Sequence, residues 1–328
     1  MRLNFSDDAL QRRLRSRIHM KTSQVILCLA LATSVFAADE PFVINNAGEF
    51  SKCVSTDARV EKLAGGMAFI EGPVWHPDGF LIFSDIPNNE LKKWTKDGGV
   101  TTFRKPSQNV NGNTIGIGRR LISAEHTGRR ISMTEKDGTV KMLVDSYDGK
   151  KFNSPNDVVV KSDDTVWFTD PPYGLSKGEQ KEQPGNFVYR FDPKSSQTTI
   201  VATNLDMPNG LAFSPDETKL YVADSGKPHH IRGYEVKEDG TLRGGIVFAV
   251  IDQGGPDGIR CDAEGRVWSS AGDGVHIFAV HGALVGKILV PESPANLCFG
   301  GKDGKTLFIT ARKSLYSIPV LTTGAMHR

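Results

Sequence analysis

No apolar run in this chain is long enough to cross a bilayer; the most apolar stretch, Val25 to Leu31, falls well short of the ~20 residues a helical span needs. Cysteine is scarce. Of four, Cys28 lies in that stretch, and the remaining Cys53, Cys261 and Cys298 are an odd number, which excludes a disulfide framework. Helical periodicity is nearly absent after residue 40, which argues against a helical bundle. There is no G-x-S-x-G elbow, no Walker loop and no H-E-x-x-H pair, so three common hydrolase chemistries lack their signatures. Charge of one sign is also missing: the net charge is +2 over 328 residues.

The apolar stretch has a different use. Met20 and Lys21 lead into it, and Val35 and Ala37 suit the small-residue positions of a signal-peptidase site. Residues 1–37 therefore read as an N-terminal extension with a cleaved secretory signal, and 38–328 as a single mature domain, periplasmic or secreted. An uncleaved anchor is the alternative. Cleavage after Ala37 removes six Lys/Arg and two Asp, turning the net charge to −2. A mildly acidic domain gives no electrostatic case for nucleic acid or for an anionic membrane.

What is present is repetition. Short β-branched or aromatic runs such as Leu81-Ile82-Phe83, Val166-Trp167-Phe168 and Leu220-Tyr221-Val222 alternate with Asp-Gly turn pairs at 78, 97, 137, 148, 239 and 303. One phrase, a polar opener followed by an apolar strand, a turn and a second strand, begins at Glu71, Asn111, Asn156, Asn209, Asp257 and Asn296. The openers lie 40, 45, 53, 48 and 39 residues apart, the period of a propeller blade. The reading is all-β: a six-bladed β-propeller with a metal site in its central channel. An opener just before each innermost strand brings all six to one mouth of that channel. In the second copy Asn111 and Asn113 compete for the role. A bond from Cys53 to the last blades would staple such a ring; Cys261 and Cys298, in strand-like runs, read as packing residues. The polar loop from Leu175 to Asn186 reads as an exposed excursion near a channel mouth.

Two openers, Glu71 and Asp257, are carboxylates and the rest are amides. Oxygen ligands with two negative charges suit a hard divalent cation of tolerant geometry, calcium first. Magnesium, manganese or zinc are possible substitutes, although no opener is the His or Cys that zinc prefers. The competing reading of any single Asn is a turn cap. Glu71 escapes it best, because Glu is a poor turn residue and paired carboxylates near an axis repel unless a cation separates them.

The phrases EGPVWHPDGFLIFSDIP, FNSPNDVVV, FTDPPYGL, MPNGLAFSPDETKLYVAD, GGPDGIRCDAEGRVW and NLCFGGKDGKTLFIT resemble the senescence marker protein (regucalcin)/gluconolactonase family over roughly residues 60–318. The resemblance implies a six-bladed propeller with a divalent metal, usually calcium, in its channel, and hydrolysis of sugar lactones. Some related propellers cleave organophosphates. It carries metal-ligand roles to Glu71, Asn156, Asn209 and Asp257. Animal members often place a substrate-contacting Arg two residues before the matching Asn; here that position is Ser154.

The expected activity is hydrolysis of a sugar lactone such as glucono-1,5-lactone, with a small-molecule substrate and no membrane partner after signal cleavage. Oligomeric state is left open. Asp257 is the first candidate for general base and His126 the second, with an ordinary loop histidine as its alternative. Asn111 and Tyr173 are candidate substrate contacts. Asp170 and Asp224 either support the metal shell or cap turns, and His229-His230 reads as a solvated loop. The rival functions are hydrolysis of another lactone or a phosphotriester on the same site, and a non-enzymatic propeller that binds a partner.

Overall fold

A computed structural model describes residues 41–116 and 118–325. The candidate signal at 1–37, with Cys28, lies outside the described residues. The apolar runs form inner strands of antiparallel sheets, and they are continuously apolar because both of their faces are buried. In Leu81-Ile82-Phe83, Leu81 and Phe83 pack toward the last blade and Ile82 toward the second. Val166 and Phe168 likewise pack backward, and Trp167 forward. Alternate residues of a strand leave opposite faces, so an unbroken apolar run serves two cores at once. Six clusters result among the described residues, one at each junction between neighbouring blades. Each large side chain buried there contributes about 1.5–3 kcal/mol.

The fold is a six-bladed β-propeller. Its innermost strands are Ile70–His76, Val110–Gly116, Val158–Val160, Pro208–Phe213, Ile259–Cys261 and Pro294–Gly300, blades 1 to 6 in order. Each pairs with the next strand of its blade: Phe80–Asp85, Arg120–Glu125, Val166–Asp170, Lys219–Asp224, Val267–Ser270 and Thr306–Ala311. The N-terminal strands close the ring. Strand β1 (Phe42–Ile44) adds a fifth strand to blade 5, pairing Phe42 with Ile288. Strand β2 (Glu61–Ala64) supplies the outermost strand of blade 6, pairing Glu61 with Ser317.

Closure by strands replaces the staple considered for Cys53. That thiol is free and buried, as are Cys261 and Cys298. Between β1 and β2 lies a helix, α1 (Ala47–Cys53), whose N-cap Asn46 accepts from Glu49 N at 3.1 Å. Its signal was the Asn followed three residues later by Glu. Five of the six Asp-Gly pairs place Gly at positive φ; at Asp97-Gly98 the left-handed residue is Gly99.

Candidate metal centre in the central channel

All six openers sit on or within two residues of an innermost strand, and at least one hydrogen bond at each junction links the neighbouring blades beside them. Ser84 Oγ donates to Asn111 O (2.7 Å), Gly112 N to Asn156 O (2.7 Å) and Thr169 Oγ1 to Asn209 O (2.8 Å). Gly210 N donates to Asp257 O (3.1 Å) and Gly258 N to Ala295 O (2.8 Å). Asn296 Nδ2 closes the circuit on Glu71 Oε2 at 2.9 Å. The glycine after an opener is what lets the next blade come this close. A Cβ on Gly72 (φ +53°) would lie 1.9 Å from Asn111 O, and one on Gly258 2.0 Å from the Asn296 amide.

The entry to three openers is gripped by an acid. Asp85 accepts from Ala68 N and Phe69 N (3.2 and 3.3 Å), Asp170 from Asn153 N and Ser154 N (2.7 and 2.9 Å), Asp224 from Asp206 N and Met207 N (2.9 and 2.8 Å). The donors are always the third and second residues before the opener. Asp170 and Asp224 therefore cap backbone.

Electrostatics mark the axis. Burial pushes the Glu71 carboxyl well above its usual range, and nearby Asp257 and Asp157 push it further, against donation from Gly72 N and the Asn296 amide. Burial and Asp157 raise Asp257 to about 7, with the Asn209 amide opposing. Asp157 is a third carboxylate that the sequence reading missed, hidden beside Asn156. Among the described residues no ion pair reaches Glu71 or Asp257, and Asp157 has one, to Arg260 Nη1 at 3.4 Å. In the ionised state that a bound cation would favour, three carboxylates against one guanidinium leave two negative charges. With amide-bearing Asn156 and Asn209 on the same ring, this donor set fits a hard divalent cation.

His126 is buried, and its Nε2 lies 3.2 Å from Asn111 Nδ2. Burial lowers its pKa to about 4, so the imidazole is neutral at pH 7 and a weak base there. Asn113 is fully engaged, donating to Gly72 O and Ser84 Oγ (both 2.9 Å) and accepting from Ser123 Oγ (2.8 Å); Asn111 is the opener. Tyr173 has an exposed side chain; partial burial raises its hydroxyl pKa and Asp257 and Asp224 raise it further, while neighbouring Ser225 and Asn209 oppose the rise. Ser154 donates to Pro171 O (2.6 Å) and accepts from Gly174 N (2.9 Å), so it anchors the Tyr173 loop and is itself buried. Gln183 ties the 175–186 excursion to Tyr147 O and Lys150 O at 3.0 and 2.9 Å. Of the histidine pair, His229 is exposed as read, but His230 is buried and begins a strand.

A second group of possible ligands among the described residues, Asp252, Asp273 and His276, differs in kind. Lys287 Nζ already sits in it, 2.7 Å from Asp252 and 3.1 Å from Asp273. An ammonium fills the place a metal would take.

Residues 69–313 match the family described as the SMP-30/gluconolactonase/LRE-like region. A gluconolactonase of Zymomonas mobilis is 36% identical over 293 residues, 81% of this chain and 82% of that protein. A gluconolactonase structure from Xanthomonas campestris is 36% identical with a TM-score of 0.81, covering 85% of this chain and 95% of that one. The structure of a putative gluconolactonase is 35% identical with a TM-score of 0.83, covering 87% of this chain and 100% of that one. This chain belongs to the SMP-30/gluconolactonase/LRE-like family.

Proposed function

We propose that this protein is a metal-dependent lactonase that opens a sugar lactone such as glucono-1,5-lactone. The observation that carries the reading is the buried trio Glu71, Asp157 and Asp257, gathered on the axis with a single guanidinium against it. A scaffold has no use for such repulsion. The gluconolactonase relatives support the substrate class.

Glu71, Asn156, Asn209 and Asp257 would hold the cation, calcium by the hardness and charge of the set. When bound, it supplies Lewis-acid polarisation of a carbonyl oxygen, worth several kcal/mol at the transition state. Asp257 is the general base: it takes a proton from the attacking water and returns it to the ring oxygen as the acyl C–O bond breaks. His126 is a positioning residue. Its neutral Nε2 accepts from the Asn111 amide and so orients Asn111 toward the substrate. The Tyr173 hydroxyl faces the same mouth beside Asn209. The signal at 1–37 makes the working compartment periplasmic or extracellular, which N-terminal sequencing of the exported protein tests.

Treatment with a chelator is expected to abolish hydrolysis of glucono-1,5-lactone, and calcium to restore it. Full activity in protein shown to be metal-free would sink the metal role. Absence of hydrolysis across a lactone panel, with metal bound, would favour a binding scaffold.

A further inference from the structure

Arg260 lies three residues beyond Asp257 on the innermost strand of blade 5, and its partner Asp157 belongs to blade 3. Blade 4 separates the two, so the pair joins blades that are not neighbours. Arg260 Nη1 is anchored on Ile259 O at 2.6 Å. On its far side it lines a cavity of about 580 Å³, formed by the same six strands further from the openers. Asp157 is buried and held as well: Oδ1 accepts from Val158 N at 2.9 Å, and a Cβ on Gly112 would lie 2.5 Å from that oxygen.

We propose that Arg260 is a fixed counter-charge that sets the valence of the cation the opener ring accepts. It cancels Asp157 and leaves two uncompensated carboxylates, a set matched to a divalent ion. The inference rests on the metal reading above. A guanidinium cannot lose its proton, so the compensation is permanent. Its repulsion acts on three charges of a trivalent ion but on two of a divalent one. At separations of several ångströms that difference amounts to roughly tenfold or more in relative affinity.

Competition between terbium and calcium, followed by terbium luminescence on the full chain, tests this without recourse to activity. Arg260→Gln is expected to raise the preference for terbium over calcium about tenfold or more, and Arg260→Lys to leave it near wild type. Asp157→Asn is expected to lower it, and the double variant to return it to within about threefold of wild type, because opposite charge changes cancel. If Arg260→Gln does not fold, Asp157→Asn carries the test from the other side. A preference that stays within threefold in the folded single variants overturns the counter-charge role alone. A wild-type protein that binds neither ion overturns the metal reading and this inference together.

Discussion

Blades 1, 3 and 4 differ from blades 2, 5 and 6 at one position. In the first set the second strand ends in Asp85, Asp170 or Asp224, and each carboxylate grips two backbone N–H groups leading to an opener. In the second set the same place is Glu125, Ala271 or Ala311. Glu125 turns instead to Arg130 (2.5 Å) and Ser132 (2.6 Å) of its own blade. The gripped blades carry Glu71, Asn156 and Asn209, three of the four proposed ligands. The fourth, Asp257, is fixed through its carbonyl by Gly210 N and by the neighbouring Gly258 contact to blade 6. A donor oxygen must be held within a few tenths of an ångström to bind a metal well, and a charged acceptor with two N–H donors is a strong way to hold backbone. The blades without that grip carry Asn111 and Asn296, whose side chains bond His126 and Glu71 rather than standing free.

The comparison can be broken most forcefully at the rim. Asp257→Ala should cost about a thousandfold or more in kcat/KM for the lactone, by removing the proposed base and the proposed ligand together. Full turnover with intact metal binding would remove Asp257 from the mechanism. Next comes the grip. Asp224→Ala strands three backbone donors, Asp206 N, Met207 N and Gly226 N, and should cost about 2–4 kcal/mol in urea unfolding, with weakened metal binding, whereas Thr310→Val in an ungripped blade should cost no more than about 1.5 kcal/mol. Equal losses would erase the distinction between the two sets of blades.

The smallest effect concerns ring closure. Burial pushes the Glu292 carboxyl up, but donation from Ser314, Lys313 N and Tyr316, with Lys62 of β2, outweighs it and holds the group at about 2. Its folded value is depressed, so its contribution is present above the ordinary carboxylate range near 4.5 and is lost as pH falls toward 2. Glu292→Gln should flatten that part of the acid limb in a stability–pH profile. An unchanged limb would show that the strand pairing of β2 holds the ring without it.

The six openers were legible because each precedes a strand at a blade-length spacing, and Glu71 stood out because Glu is a poor turn residue. Asp170 and Asp224 were visible as acids ending strands, but metal support and backbone capping look the same in one dimension. Only the distances to N–H groups three and two residues before the opener separate them. Asp157 was masked by its neighbour Asn156, and nothing local announces that Arg260, 103 residues away, reaches it. The ring closure was equally silent: Glu61–Ala64 has no apolar alternation of its own, since its pairing is supplied by Ser314–Pro319.

By itself the sequence determined the blade count, the all-β class and the oxygen-rich rim, because strand periodicity, turn residues and opener spacing are local properties repeated along the chain. Tertiary structure alone decided which carboxylates share the axis and what compensates them. Electrostatic energy depends on distance through space, and closing the ring brings Arg260 of blade 5 to Asp157 of blade 3 past the blade between them, and sets blade 6 beside blade 1.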